Sequence, residues 1–175
     1  MKPLIIAAGV VTVGVLAGCA TTGSPEQISC LQPNRRVVVE IGGIKIKPPA
    51  KAKPGAKPGK PGRQSVMLKA LAQGDSAFDF KGAVLKDGGQ KELDKLVNTV
   101  AKGAGRDKRP TNVGSVVITG HSDRFESDAG DNSLSESRAK AVMAYLVSKG
   151  VDSKLIFWEG KGSKEPVPVT KFCES

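Results

Sequence analysis

Residues 113–146 read VGSVVITGHSDRFESDAGDNSLSESRAKAVMAYL. The first seven are apolar or small with recurring β-branched side chains, which predicts a strand. They are apolar on both faces, so the strand is expected at the centre of a sheet, covered by helix on both sides or at its edge. His121 to Asn132 is polar and predicts a loop. Ser133 and Glu136 have the S-x-x-E spacing of a capping box and open a helix. Its apolar stripe is Leu134, Ala141, Val142, Tyr145 and Leu146, and Gly150 ends it. Arg138 lies four residues from both Leu134 and Val142, hence on that stripe rather than on the solvated face. An inward guanidinium needs a carboxylate, because an unpaired buried charge is strongly destabilising. Asp123 is the nearest candidate by topology. Two readings of this pair stand side by side. It is a structural ion pair that pins the loop, or a zwitterion clamp in which Arg138 grips a ligand carboxylate and Asp123 takes an ammonium group.

Outward from this stretch, Gly88-Gly89 opens a second helix that runs to about Lys102. Leu93, Leu96, Val97 and Val100 are its apolar positions. Asp75 to Phe80 (DSAFDF) alternates and predicts a strand, with Val66 to Leu71 a short strand leading into it. Leu155 to Glu159 predicts another. Arg36 to Ile41 (RVVVEI) is a strong strand pattern set apart near the N-terminus. Strand-helix-strand-helix-strand plus this separate strand predicts an α+β domain with a mixed sheet.

The chain has 175 residues and a formal net charge of +10. Position explains most of that charge. Residues 44–64 are rich in Pro, Gly and Lys, and hold Lys45, Lys47, Lys51, Lys53, Lys57, Lys60 and Arg63 with no acid. Such a composition favours extended, solvated chain and reads as a linker. The remainder is nearly neutral, so no nucleic-acid partner is expected. One histidine and three cysteines leave little for a metal site, and neither a metal nor a cofactor is expected. His121 lacks the accompanying nucleophile and orienting acid of a catalytic group and reads as a turn residue.

Residues 1–18 read as a signal peptide: a short basic start, then an apolar run that ends in Leu16-Ala17-Gly18 before Cys19. That ending resembles a bacterial lipobox, which implies acylation of Cys19 (palmitate among the chains) and anchoring in a membrane. Ala20, where an Asp would favour the inner membrane, implies outer-membrane sorting. Export leaves Cys30 and Cys173 in an oxidising compartment, where a structural disulfide persists.

Gly120-His121-Ser122-Asp123, followed by Asn132-Ser133-Leu134-Ser135-Glu136-Ser137-Arg138-Ala139, resembles the G-H-T-D turn and N-x-x-L-S-x-x-R-A helix of OmpA-like peptidoglycan-binding domains. Residues 78–96, 141–155 and 160–167 resemble the flanking elements of that family. The resemblance implies a β-α-β-α-β-β mixed sheet over residues 65–175. It implies that Asp123 and Arg138 bind the amine and carboxylate of the diaminopimelate residue in the peptidoglycan stem peptide, with Ser122 and Asn132 beside them. Ser122 replaces the usual Thr and Glu126 stands where Gly is common. Asp131 falls where the ligand-contacting Asn would be counted without a gap.

The family's last strand, of the type C-L-x-P-[ND]-R-R-V-x-I-x-I, is missing after Cys173. It appears instead as Cys30-Leu31-Gln32-Pro33-Asn34-Arg35-Arg36-Val37-Val38-Val39-Glu40-Ile41. The resemblance therefore implies a circular permutation. Residues 19–43 supply the tether and an interior strand antiparallel to the first, and Cys30 pairs with Cys173. A free thiol pair or an intermolecular bond is the alternative, and a domain-swapped dimer is the rival to a monomer. The implied protein is a non-enzymatic outer-membrane lipoprotein, facing the periplasm, that ties the envelope to peptidoglycan. A scaffold subunit of an envelope or secretion complex using the same grip is the second reading, and a cell-wall peptide-processing enzyme the third.

Overall fold

The computed structural model describes residues 23–46, 63–103, 108–126 and 132–169. The signal peptide, Cys19, the interior of the linker, Asp131 and Cys173 lie outside them. The sheet has the order β2-β1-β3-β4. Strand β1 (Arg36–Ile46) lies inside it, between β2 (Arg63–Gln73) and β3 (Asn112–His121), and is antiparallel to both. Strand β4 (Ile156–Gly160) runs parallel to β3. The N-terminal strand thus occupies an interior place, where its backbone N–H and C=O groups find partners on both sides.

Period two sorts the side chains of β1. Val37, Val39 and Ile41 are fully buried, each contributing about 1.5–3 kcal/mol from transfer out of water. They meet Ala72, Val116 and Ile118 from the neighbouring strands, and Leu93, Val142 and Leu146 from two helices. Helix α2 (Asp87–Lys102) lies over β2, and α3 (Ser133–Ser148) over β3 and β4. A short helix, α1 (Pro25–Cys30), precedes β1. Tyr145 donates to Asp94 at 2.9 Å and Lys149 pairs with the same carboxylate at 2.8 Å, which links α3 to α2.

Several expectations are corrected. Strand β3 is covered on one face only: Val116 and Ile118 are buried, whereas Val117 is 38% exposed and its register partner Phe157 61%. An all-apolar strand here means one packed face and one open apolar face. Asp75 to Phe80 is not a strand. Gly74 turns the chain at φ +67 and a 3-10 turn spans Gly74–Ser76, so the strand ends at Gln73 and the DSAFDF alternation is a connecting segment. Strand pairing also enters the expected linker at both ends, as far as Ile46 opposite Arg63. Cross-strand hydrogen bonds decide this against local composition. The capping box at Ser133 is displaced as well, because Asn132 is the N-cap and Glu136 falls one place beyond the capping position. A capping box forms instead at Ser24, with Gln27, at the start of α1.

Candidate functional site

The site lies where β1 begins, β3 ends and α3 starts. Gly120 makes this junction close. A Cβ there would sit 2.0 Å from the carbonyl oxygen of Ser135, so only glycine lets α3 approach β3 so nearly. Ser135 Oγ then accepts from the N–H of Gly162 at 2.9 Å, tying the turn after β4 to the same helix.

Arg138 is fully buried, as the stripe position predicts. Its partner is Glu126, not Asp123. Nη1 and Nη2 fork onto Glu126 Oε2 and Oε1 at 2.8 and 2.5 Å. Nε donates to the carbonyl of Gly82 at 2.8 Å, Nη2 to that of Asp79 at 3.2 Å, and Nη1 to that of His121 at 3.3 Å. A guanidinium has five N–H donors, and these contacts engage all of them. Phe78 lies beneath, its ring centre 5.3 Å from the guanidinium carbon. The segment after Gly74 therefore supplies the bottom of the arginine's cage.

Glu126 is equally well satisfied. Besides the fork, it accepts from the backbone N–H of Asp123 and of Lys81, each at 3.0 Å. Lys81 has φ 55, a left-handed conformation uncommon for a side-chain-bearing residue. That conformation accompanies an N–H aimed at the carboxylate.

Asp123 is fully buried and differently placed. Its Oδ1 accepts from the N–H of Phe125 at 2.8 Å. Its Oδ2 has no hydrogen-bond partner and lies 3.8 Å from Arg35 Nε, which also lacks one. Burial, and next the nearby charge of Glu126, push the Asp123 carboxyl up to about 6, against the pull of the Phe125 N–H, Arg35 and Arg138. Asp123 is one of the residues around a cavity of about 440 Å³, together with Ser122, Asn34, Leu31, Arg124, Ser163 and the Pro166–Val169 stretch. A buried acceptor short of donors, in a residue beside a cavity, fits a cationic group.

The structure brings Ser122 and Asp123 together on this cavity. It does not place Arg138 or Asn132 among the lining residues. Asn132 caps α3 through its carbonyl, which accepts from Ser135 Oγ at 2.7 Å, while its side-chain oxygen is buried without a hydrogen bond. Arg35 is the residue that sequence reasoning missed. The Arg35-Arg36 doublet at the start of a strand was the available signal, since adjacent residues point to opposite sides. Arg35 pairs with Asp75 at 2.8 Å on the Asp123 side. Arg36 and His121 are register partners that line a groove on the open face. Burial, then the charge of Arg36, lowers His121 to about 4, so it is neutral at neutral pH. Cys30 is disulfide-bonded, with its partner outside the described residues. Among the described residues no group of His, Cys, Asp and Glu is arranged to hold a metal ion, and no helix is long and apolar enough to cross a membrane.

A match to the OmpA family covers residues 77–173, more than half of the sequence. This chain belongs to the OmpA family. Its similarity to Outer membrane protein A of Citrobacter freundii is 41% identity over 93 residues, 53% of this chain and 37% of that protein. The same identity holds against Outer membrane protein A of Escherichia coli O157:H7, of which 25% is covered. The OmpA-family chain thus spans from about a quarter to somewhat over a third of the length of these relatives. The OmpA-like domain of FopA1 from Francisella tularensis superposes with a TM-score of 0.43 at 24% identity, over 57% of this chain and 61% of that one.

Proposed function

We propose that this chain is a non-enzymatic outer-membrane lipoprotein that binds peptidoglycan non-covalently through the free amine of the diaminopimelate residue in the stem peptide. Domains of its family generally bind peptidoglycan, and its named relatives are outer membrane proteins. One observation carries the reading: the buried Asp123 Oδ2, without a hydrogen bond, belongs to a residue beside a cavity large enough for an aminoalkyl side chain. An ammonium placed there would supply the donors that Asp123 lacks and relieve the burial of its charge. Ser122 would line the same cavity. Arg138 would act behind it as a positioning residue, holding Glu126 and through it the backbone of Asp123.

Cys19 would carry the lipid and hold the domain in the outer membrane, facing the periplasm. A disulfide from Cys30 to Cys173 would close the permuted domain near its two ends, in a monomer. The decisive experiment is co-sedimentation of the chain with purified peptidoglycan, wild type against Asp123→Asn. The substitution keeps the shape and removes the charge, and binding is expected to fall by about tenfold or more, as for a lost charge-assisted contact. Undiminished sedimentation of the variant would refute the assignment. Radiolabelled palmitate incorporation, lost in Cys19→Ser, checks the anchor.

A further inference from the structure

The Arg138 fork is a complete receptor for a carboxylate, and this chain fills it from within. Two parallel N–H donors meet both oxygens of Glu126 at 2.8 and 2.5 Å. Two backbone N–H groups, of Asp123 and Lys81, complete the shell at 3.0 Å. Both side chains are fully buried. Glu126 is three residues from Asp123 on the same turn, so its carboxylate is presented at a high effective concentration that a free ligand group must outcompete. A ligand carboxylate next to an amine on Asp123 would meet no open donor on Arg138. It would instead approach the negative charge of Glu126, which already raises the Asp123 carboxyl. Arg124, the cation that does line the cavity, is exposed and stacked at 5.0 Å on Phe125, where water screens it.

We propose that Glu126 is a built-in carboxylate occupying the Arg138 fork, so that the site selects its ligand by a free primary amine alone and accepts stem peptides whose carboxyl group beside that amine is amidated or absent. This rests on the reading of Asp123 as the amine acceptor. It makes Glu126 the specificity-determining residue and Arg138 its support.

The test is isothermal titration of the purified full chain with three synthetic stem tripeptides. They end in diaminopimelate, in its carboxamide at the carbon bearing the free amine, or in lysine. A ligand that loses a bidentate charge-assisted contact loses about tenfold or more in affinity. Wild type is therefore expected to bind the three peptides with affinity ratios below that, or to favour the carboxamide and lysine forms. A preference for unamidated diaminopimelate of about tenfold or more would overturn the proposal alone. Absence of heat with all three would overturn the amine-acceptor reading and this proposal with it. Glu126→Ala, which empties the fork, is expected to gain a diaminopimelate preference of about tenfold. If that variant retains the wild-type amide NMR dispersion and gains no preference, the fork is not a carboxylate receptor and the proposal fails. If it does not fold, the wild-type ratios decide.

Discussion

Removing Arg138 should destabilise this domain more than any exposed substitution, and a double-mutant cycle with Glu126 isolates the reason. Arg138→Met keeps much of the side-chain volume but deletes the fork at 2.8 and 2.5 Å and the donors to the carbonyls of Gly82, Asp79 and His121. It leaves a buried carboxylate held only by two backbone N–H groups. Breaking one side of a buried ion pair costs about 3–5 kcal/mol. For a folded part of roughly 120 residues each kcal/mol lowers the transition by about 4 °C, so a fall of about 12–20 °C is expected. Glu126→Gln leaves a buried guanidinium with a weaker partner and is expected to cost about 3 kcal/mol. In the double variant neither charge is stranded. Its loss should be smaller than the sum of the single losses by about 2–3 kcal/mol, well above the roughly 0.5 kcal/mol scatter of independent sites. Urea unfolding under non-reducing conditions measures all three, with unchanged slopes confirming comparable unfolded states. Additive losses, or single losses below about 1 kcal/mol, would show that the pair is solvated and would refute the buried-fork account.

Asp123→Asn should raise stability at neutral pH by about 1–2 kcal/mol while removing amine binding, because the native carboxyl is pushed up to about 6 and its ionised form is the unfavourable one in the fold. In the wild type, Asp123 lowers stability as pH rises from about 4 to about 6. His121, neutral in the fold down to about 4, loses stability as pH falls from 6.5 toward that value. The two slopes oppose. Asp123→Asn should therefore show stability rising from pH 4 to 6.5 by up to about 3 kcal/mol, and a flat profile in urea titrations would contradict the His121 assignment. If Asp123 is the amine acceptor proposed above, ligand binding needs its ionised form and should weaken as pH drops through about 6, visible in peptidoglycan sedimentation at pH 5 and 7.5. Gly120→Ala should force α3 away from β3, given the 2.0 Å approach, and lower stability by about 2–3 kcal/mol or more; a thermal transition within about 2–3 °C of wild type, against the shift of about 4 °C per kcal/mol, would show that the helix can shift freely.

Much of the fold was legible because its signals are local and repeated. Helix α2 follows the spacing of Leu93, Leu96, Val97 and Val100. Strand β1 follows the unbroken Val37-Val38-Val39 run, although nothing local says that it joins β2 and β3. The DSAFDF segment misled because alternation is only half of a strand. The other half is a pairing partner, and the φ of Gly74 turns the chain before one is met. In α3 the apolar stripe missed Ser135 and Ala139, which are buried because β3 and β4 present glycines to them. Small or polar residues enter a core when the facing backbone is bare, and hydrophobicity does not register that.

The sequence alone determined that Arg138 is turned inward, since helical period fixes which face a residue shares. It also placed Asp123 at the mouth of the preceding strand and set a spare strand near the N-terminus. It did not determine which carboxylate the arginine takes. Asp123 and Glu126 are three residues apart on one turn, and chain spacing ranks them equally. The choice was made by the tertiary structure, through the carbonyls of Gly82, Asp79 and His121 and the N–H groups of Lys81 and Asp123, which fix the guanidinium and one carboxylate in a single geometry. Arg35, brought in by the N-terminal strand to 3.8 Å from Asp123, was likewise placed by sheet register. Ionic partnership depends on distances of a few ångströms between segments far apart in the chain, and only the folded backbone sets them.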